Sequence, residues 1–165
     1  MSEASSMFDL ISEQNEEREY FDTGGVGQSH EFYTGEEQFL REMRNIYGRR
    51  WLPVDHVSRL PEPGCFTTLN IAGGSILLLR GDEGIQAYHN YCRHRGYKLV
   101  EEAVGKRQSL VCIYHCWVYN RNGALTSLNG TYFDHFFDKE KNGLLRVRTE
   151  IRHGIVSVCF AEDPR

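Results

Sequence analysis

The sequence predicts an all-β domain that is preceded by one short helix. After Trp51, turn residues such as Gly, Asn and Pro recur about every 8 to 12 residues. Short runs rich in β-branched and aromatic residues lie between these turns, and no long stretch of helical periodicity follows. Short strands at such spacing are typical of a β-sandwich or a small barrel.

The 165 residues are enough for one domain with its own core, and 40% of them are hydrophobic. A net charge of −4 argues against a nucleic-acid partner, because such proteins carry a basic field. No apolar run reaches the roughly 18 residues of a membrane helix, and the acidic start predicts no signal peptide. Five cysteines without an export signal favour a reducing, cytoplasmic location and metal or redox chemistry.

The first 33 residues are polar and end in the Gly-rich stretch "DTGGVGQSH", so residues 1–33 are predicted to form an N-terminal arm. Residues 34–50 are predicted to contain the helix, at about 35–47. Thr34 and Glu37 match a capping box, apolar residues follow at helical spacing, and Gly48 ends the pattern.

Residues 51–165 are predicted to form the β domain. The stretch "SILLLRGDEGIQAYHN" predicts a hairpin that turns between Gly81 and Gly84. The other predicted strands are the runs "CFTTLNI", "LVCIY", "LLRVRTEI" and "IVSVCF". Cys65 and Cys159 lie in two of these runs and are predicted to be buried apolar fillers.

Two mixed Cys–His pairs indicate a metal centre. Cys92 and His94 form C-x-H, and Cys112 and His115 form C-x2-H after 17 intervening residues. Structural zinc sites usually pair Cys with Cys and His with His, whereas here each pair holds one of each. This arrangement suits a Rieske [2Fe–2S] cluster, in which one iron takes both cysteines and the other takes both histidines.

The motif "CRHRGYKL…CIYHCWVYNRNGAL" resembles the Rieske motif of ring-hydroxylating oxygenase large (alpha) subunits. The resemblance extends over about residues 31–163 and implies a Rieske iron–sulfur fold of small antiparallel sheets, with the cluster-binding part at about 85–128. It implies Cys92, His94, Cys112 and His115 as the ligands of the cluster. The neighbouring positions that carry over from the motif are Arg95, Gly96, Tyr114, Trp117, Tyr119 and Gly123.

Two residues depart from that motif. Ile113 replaces the usual Pro and is expected to remain a buried apolar residue. Cys116 replaces the usual Gly beside His115 and is interpreted as a small buried filler, with a spare ligand or a thiol donor as alternatives. Tyr97 in the first loop leaves no second cysteine for the disulfide of respiratory Rieske proteins, so that type is disfavoured.

The family's large subunits also carry a mononuclear iron held by two His and a carboxylate, usually as D-x2-H-x4-H. His89 and His94 form H-x4-H here, but Gln86 occupies the acidic position. We therefore expect this chain alone to lack the catalytic iron site, and its status as an enzyme stays open.

The resemblance implies electron transfer in an aromatic-ring oxygenase, a dioxygenase or a monooxygenase. A ferredoxin or a flavin reductase would donate the electron, an oxygenase catalytic domain or neighbouring subunit would accept it, and a trimer is possible. A stand-alone Rieske-type ferredoxin and a non-catalytic remnant of a truncated oxygenase are the alternatives.

Basic residues near the motif would steer an acidic donor: Arg93, Arg95, Lys98, Lys106, Arg107 and Arg121. The aromatic stretch "TYFDHFFDKEK" is a candidate docking face, with loop packing as the alternative.

Overall fold

The computed structural model describes residues 27–128 and 137–162. Most of the predicted arm and most of the stretch "TYFDHFF" lie outside the described residues. The described residues divide into two compact units, with the boundary between Arg41 and Glu42. Among the described residues, no helix is long and apolar enough to cross a membrane.

The helical region starts earlier than predicted, at His30 within the predicted arm, and consists of three consecutive segments. Helix α1 spans His30–Thr34, helix α2 spans Glu36–Glu42, and a π-helical turn continues over Met43–Tyr47. The predicted capping box is wrong, because Thr34 ends α1 and its hydroxyl donates to the His30 carbonyl at 3.0 Å. Gly35 separates the two helices with extended dihedrals of −72° and 129°. Gly48 ends the region as predicted, and its N–H donates to the Met43 carbonyl at 2.8 Å.

The described residues form two antiparallel sheets, which confirms the all-β fold. The large sheet has seven strands in the order β1-β10-β9-β4-β3-β2-β5, and the small sheet has the order β6-β7-β8. The strands are β1 Leu52–His56, β2 Cys65–Ile71, β3 Gly74–Arg80, β4 Ile85–His89, β5 Val104–Lys106, β6 Ser109–Val111, β7 Val118–Asn120, β8 Leu125–Ser127, β9 Arg146–Arg152 and β10 Ile155–Cys159.

The hairpin between β3 and β4 forms as predicted. The two strands pair from Ile76 with His89 to Arg80 with Ile85, and the Gly81 N–H donates to the Gly84 carbonyl at 2.8 Å. This register leads the chain from the centre of the large sheet into the loop that begins at Cys92.

Strand β3 is buried on both faces and divides the core into two clusters. Leu77 and Leu79 belong to one cluster, and Ile76 and Leu78 belong to the other. This alternation follows the two-residue period of a strand. The Leu77 cluster also contains residues of the small sheet and both motif cysteines, so it connects the loops that carry the two Cys–His pairs to the large sheet. Cys159 is buried as predicted, whereas Cys65 is only half-buried.

Candidate metal centre

The two Cys–His loops have the same backbone hydrogen bonds. In the first loop, the Cys92 N–H donates to the Tyr97 carbonyl at 2.8 Å and the Gly96 N–H donates to the Cys92 carbonyl at 2.9 Å. In the second loop, the Cys112 N–H donates to the Trp117 carbonyl and the Cys116 N–H donates to the Cys112 carbonyl, both at 2.8 Å. Each loop is therefore a compact turn that starts at its cysteine.

Gly96 and Cys116 occupy equivalent positions in these turns. Both adopt the left-handed conformation, with φ of 67° at Gly96 and 57° at Cys116. This conformation favours glycine, because a Cβ crowds the neighbouring backbone. The interpretation of Cys116 as a buried filler is wrong, since the residue is exposed. Ile113 is also not buried as expected, because 77% of it is exposed at the tip of the second loop.

Both motif cysteines are free thiols inside the core, and one has a hydroxyl partner. Cys92 is 3% exposed and Cys112 is 2% exposed. The Tyr119 hydroxyl lies 3.3 Å from Cys92 Sγ and accepts the Arg93 N–H at 3.0 Å. Because the hydroxyl oxygen accepts from Arg93, its own proton is available for the sulfur. Burial raises the pKa of the Cys92 thiol, and the contact with Tyr119 opposes this shift.

The two motif histidines lie side by side. Their ring centroids are 4.6 Å apart at an interplanar angle of 69°. Within the described residues, the Nδ1 atoms of His94 and His115 are both buried and have no hydrogen-bond partner. Burial, followed by the charges of His115 and Arg95, lowers the pKa of His94 and therefore favours its neutral, ligating form.

Aromatic side chains hold the two histidine rings from different sides. Trp117, which is 3% exposed, stacks on His94 with a centroid distance of 4.9 Å and an interplanar angle of 8°. The ring of Tyr114 packs against that of His115 with a centroid distance of 3.9 Å, although half of Tyr114 is exposed. Trp117 therefore covers one face of the His94 ring, and both histidines remain partly exposed.

These donors fit a two-iron cluster. Buried polar atoms normally have a partner, so two orphaned ring nitrogens beside two buried thiols suit a bound metal centre. Each turn carries one cysteine and one histidine, an arrangement that suits pairs of ligands on two irons better than a structural four-ligand zinc site.

Tyr88 and Asn90 also support the loops, and the motif does not include them. The Asn90 side chain is fully buried, donates to the Val100 carbonyl at 2.7 Å and accepts the Val100 N–H at 3.0 Å. Tyr88 packs against Gly123, which has φ of 75° and where a Cβ would lie 2.5 Å from the ring. In the sequence, the Asn90 hydrogen bonds are indicated only by a polar Asn that follows an apolar strand.

Most of the predicted steering charges have local partners. Lys98 pairs with Glu101, Lys106 with Glu62, Arg107 with Glu102 and Arg121 with Asp82. The structure shows no ion pair for Arg93 or Arg95 within residues 27–128 and 137–162. Among the described residues, these two arginines therefore carry positive charge that no ion pair offsets.

Residues 50–132 match the family model described as the Rieske [2Fe-2S] domain. The large oxygenase component of a naphthalene 1,2-dioxygenase system from Pseudomonas aeruginosa is 36% identical over 143 residues, which cover 84% of this chain and 32% of that protein. A glycine betaine monooxygenase oxygenase subunit from Chromohalobacter salexigens is 38% identical, over 81% of this chain and 30% of that protein.

Solved structures show the same likeness. Naphthalene 1,2-dioxygenase with indole bound in its active site matches with a TM-score of 0.77 at 35% identity, over 84% of this chain and 32% of that one. A quaternary ammonium Rieske monooxygenase matches with a TM-score of 0.74 at 29% identity, over 82% of this chain and 38% of that one. The chain thus spans about a third of the length of the curated relatives that it matches.

Proposed function

Because the chain belongs to the Rieske [2Fe-2S] domain family, we propose that it transfers single electrons through a cluster held by Cys92, His94, Cys112 and His115. The cofactor of this domain is a Rieske-type [2Fe–2S] cluster, and the chain is homologous to the large subunits of Rieske oxygenases. When bound, the cluster supplies a one-electron couple whose potential lies above that of all-cysteine clusters.

The observation that carries the proposal is the juxtaposition of two buried thiols and two orphaned histidine nitrogens on matching turns. In this assignment Cys92 and Cys112 bind one iron through sulfur, and His94 and His115 bind the other through Nδ1. The Tyr119 hydroxyl donates to Cys92 Sγ and offsets negative charge on that sulfur.

The histidine side suits exit of the electron. The tip of the second loop presents Ile113 and Tyr114, which are 77% and 51% exposed, beside His115. Exposed apolar side chains beside a redox ligand favour close contact with a partner surface, which shortens the electron path. Trp117 orients the His94 ring by stacking on it.

In the complete system, the chain would act as the N-terminal part of an oxygenase alpha subunit in the cytoplasm. A ferredoxin or a flavin reductase would reduce it, and a catalytic iron on an oxygenase domain or on a neighbouring subunit of a trimer would accept the electron. The naphthalene dioxygenase relatives favour an aromatic substrate, whereas glycine betaine monooxygenase subunits match at similar identity. Since both classes match this domain equally well, the substrate preference belongs to the catalytic part.

Anaerobic reconstitution tests the proposal. We expect two irons and two acid-labile sulfides per chain, a Rieske EPR signal after reduction, and uptake of one electron per chain in a reductive titration. His115→Ala should abolish this signal, whereas His30→Ala changes an exposed histidine of α1 and should retain it. A colourless protein with one zinc per chain would contradict the proposal.

A further inference from the structure

A cleft of about 360 Å³ is lined in part by Arg93, the residue that directly follows the proposed ligand Cys92. Its floor includes the buried residues Tyr88, Gly123 and Leu144, and its rim includes the exposed residues Arg93 and Arg146. This volume lies at the lower end of the range of about 300–1,000 Å³ for small-molecule sites, so the cleft suits one or two side chains better than a large cofactor.

The rim of the cleft carries net positive charge. Lys141 also lines it but pairs with Asp138 at 3.0 Å, which leaves Arg93 and Arg146 against the single acid Glu140. Within the described residues, neither arginine forms an ion pair with an acidic side chain. A guanidinium binds carboxylates through two parallel hydrogen bonds, so a carboxylate is the chemistry that fits this rim.

Two contacts position these arginines. The guanidinium of Arg146 interacts with the hydroxyl of Tyr88, which in turn donates to the Asn122 carbonyl at 2.8 Å. Arg93 directly follows Cys92 in the chain, and its N–H donates to the Tyr119 hydroxyl that contacts Cys92 Sγ. Arg93 thus connects the cleft to the proposed ligand Cys92 in two ways. One is the peptide bond between the two residues, and the other is the pair of contacts through the Tyr119 hydroxyl.

We propose that this cleft binds an acidic side chain of the protein that reduces the cluster, so that the electron enters on the Cys92 side. The inference rests on the proposed electron-transfer function. In the step, the reduced donor protein loses one electron and this domain gains it, and no bond is formed or broken. The histidine tip then remains available for the acceptor, and donor and acceptor need not compete for one surface.

The test compares two double variants of equal net charge in the full chain. Arg93→Gln with Arg146→Gln removes the cleft arginines, while Arg50→Gln with Arg148→Gln removes two exposed arginines that do not line the cleft. The donor is a reduced, acidic plant-type ferredoxin, and stopped-flow spectroscopy gives the rate of cluster reduction. Reduced methyl viologen, a small cation, is the donor in a parallel series, and calorimetry gives the affinity for oxidised ferredoxin.

We expect the cleft variant to be reduced by ferredoxin about tenfold more slowly at low ionic strength and to bind it about tenfold more weakly. The control variant should lose much less, and methyl viologen should reduce all forms equally. Equal losses in both variants would overturn the proposal, since net charge alone would then explain them.

Two further outcomes are decisive. Inorganic phosphate that inhibits reduction at constant ionic strength, while ferredoxin binding is unchanged, would identify a site for small anions and overturn the assignment. Lack of a Rieske signal in the unchanged protein would contradict the proposed function. In that case the affinity for oxidised ferredoxin still decides whether the cleft binds an acidic protein, because that titration needs no electron transfer.

Discussion

Replacement of Cys116 by glycine should stabilise the protein. Cys116 has φ of 57°, and its counterpart in the first loop is Gly96 with φ of 67°. A residue with a Cβ is disfavoured in this conformation by roughly 1–2 kcal/mol. Glycine adds about 0.4–1 kcal/mol of unfolded-state entropy, which offsets part of the gain. The exposed thiol has no partner among the described residues, so little else is lost, and we expect a net gain of about 0.5–1 kcal/mol.

Urea denaturation of the metal-free protein measures this difference in the free energy of unfolding. Cys116→Ala is the matched control, because it removes the thiol but keeps the Cβ that causes the strain. We expect the glycine variant to be more stable than both the alanine variant and the unchanged protein. A glycine variant no more stable than the alanine variant would refute the argument from backbone strain.

Three further changes test the same site. Tyr119→Phe removes the hydroxyl that donates to Cys92 Sγ. Because that hydrogen bond stabilises the reduced cluster, the variant should have a lower reduction potential in a redox titration. An unchanged potential would contradict the contact. Gly123→Ala places a Cβ 2.5 Å from the Tyr88 ring and should lower the free energy of unfolding by roughly 2–4 kcal/mol, as measured by urea denaturation. A decrease of less than about 1 kcal/mol would contradict this packing. The pKa of His94 is lowered, chiefly by burial, from its ordinary 6.5, so protonation opposes folding. The metal-free protein should therefore lose stability as the pH falls below about 6.5, and equal pH dependence in His94→Gln would contradict this assignment.

The longer strands were predictable because their patterns are local. The run "CFTTLNI" coincides with β2, Cys65–Ile71, and the two Gly-flanked runs around Gly81 form the β3–β4 hairpin. Strands β5, β7 and β8 contain only three residues each, which is too short for a period-2 pattern to show. Helix α1, His30–Thr34, was missed, because residues 1–33 were assigned to the arm and the helix was expected to start at about residue 35.

The four proposed ligands could be selected from the sequence because residue type and spacing carry their chemistry, and the structure places the two cysteines in the core and the two histidine rings side by side. The contacts that orient the donors depend on residues far apart in the chain, such as Tyr119 beside Cys92. The ion pairs that neutralise Lys106 and Arg121 span 44 and 39 residues, so a basic patch inferred from sequence overstates the available charge. Exposure of Cys116 follows from its place in the second turn, which residue type alone does not reveal.

Mössbauer spectroscopy of the reconstituted protein, combined with electron–nuclear double resonance on protein labelled with ¹⁵N-histidine, tests the ligand assignment most directly. If Cys92 and Cys112 hold one iron and His94 and His115 the other, the two irons will be inequivalent. Two histidine nitrogens will then couple to the reduced cluster, and His94→Ala will remove this coupling. Two equivalent irons without histidine coupling would contradict the assignment.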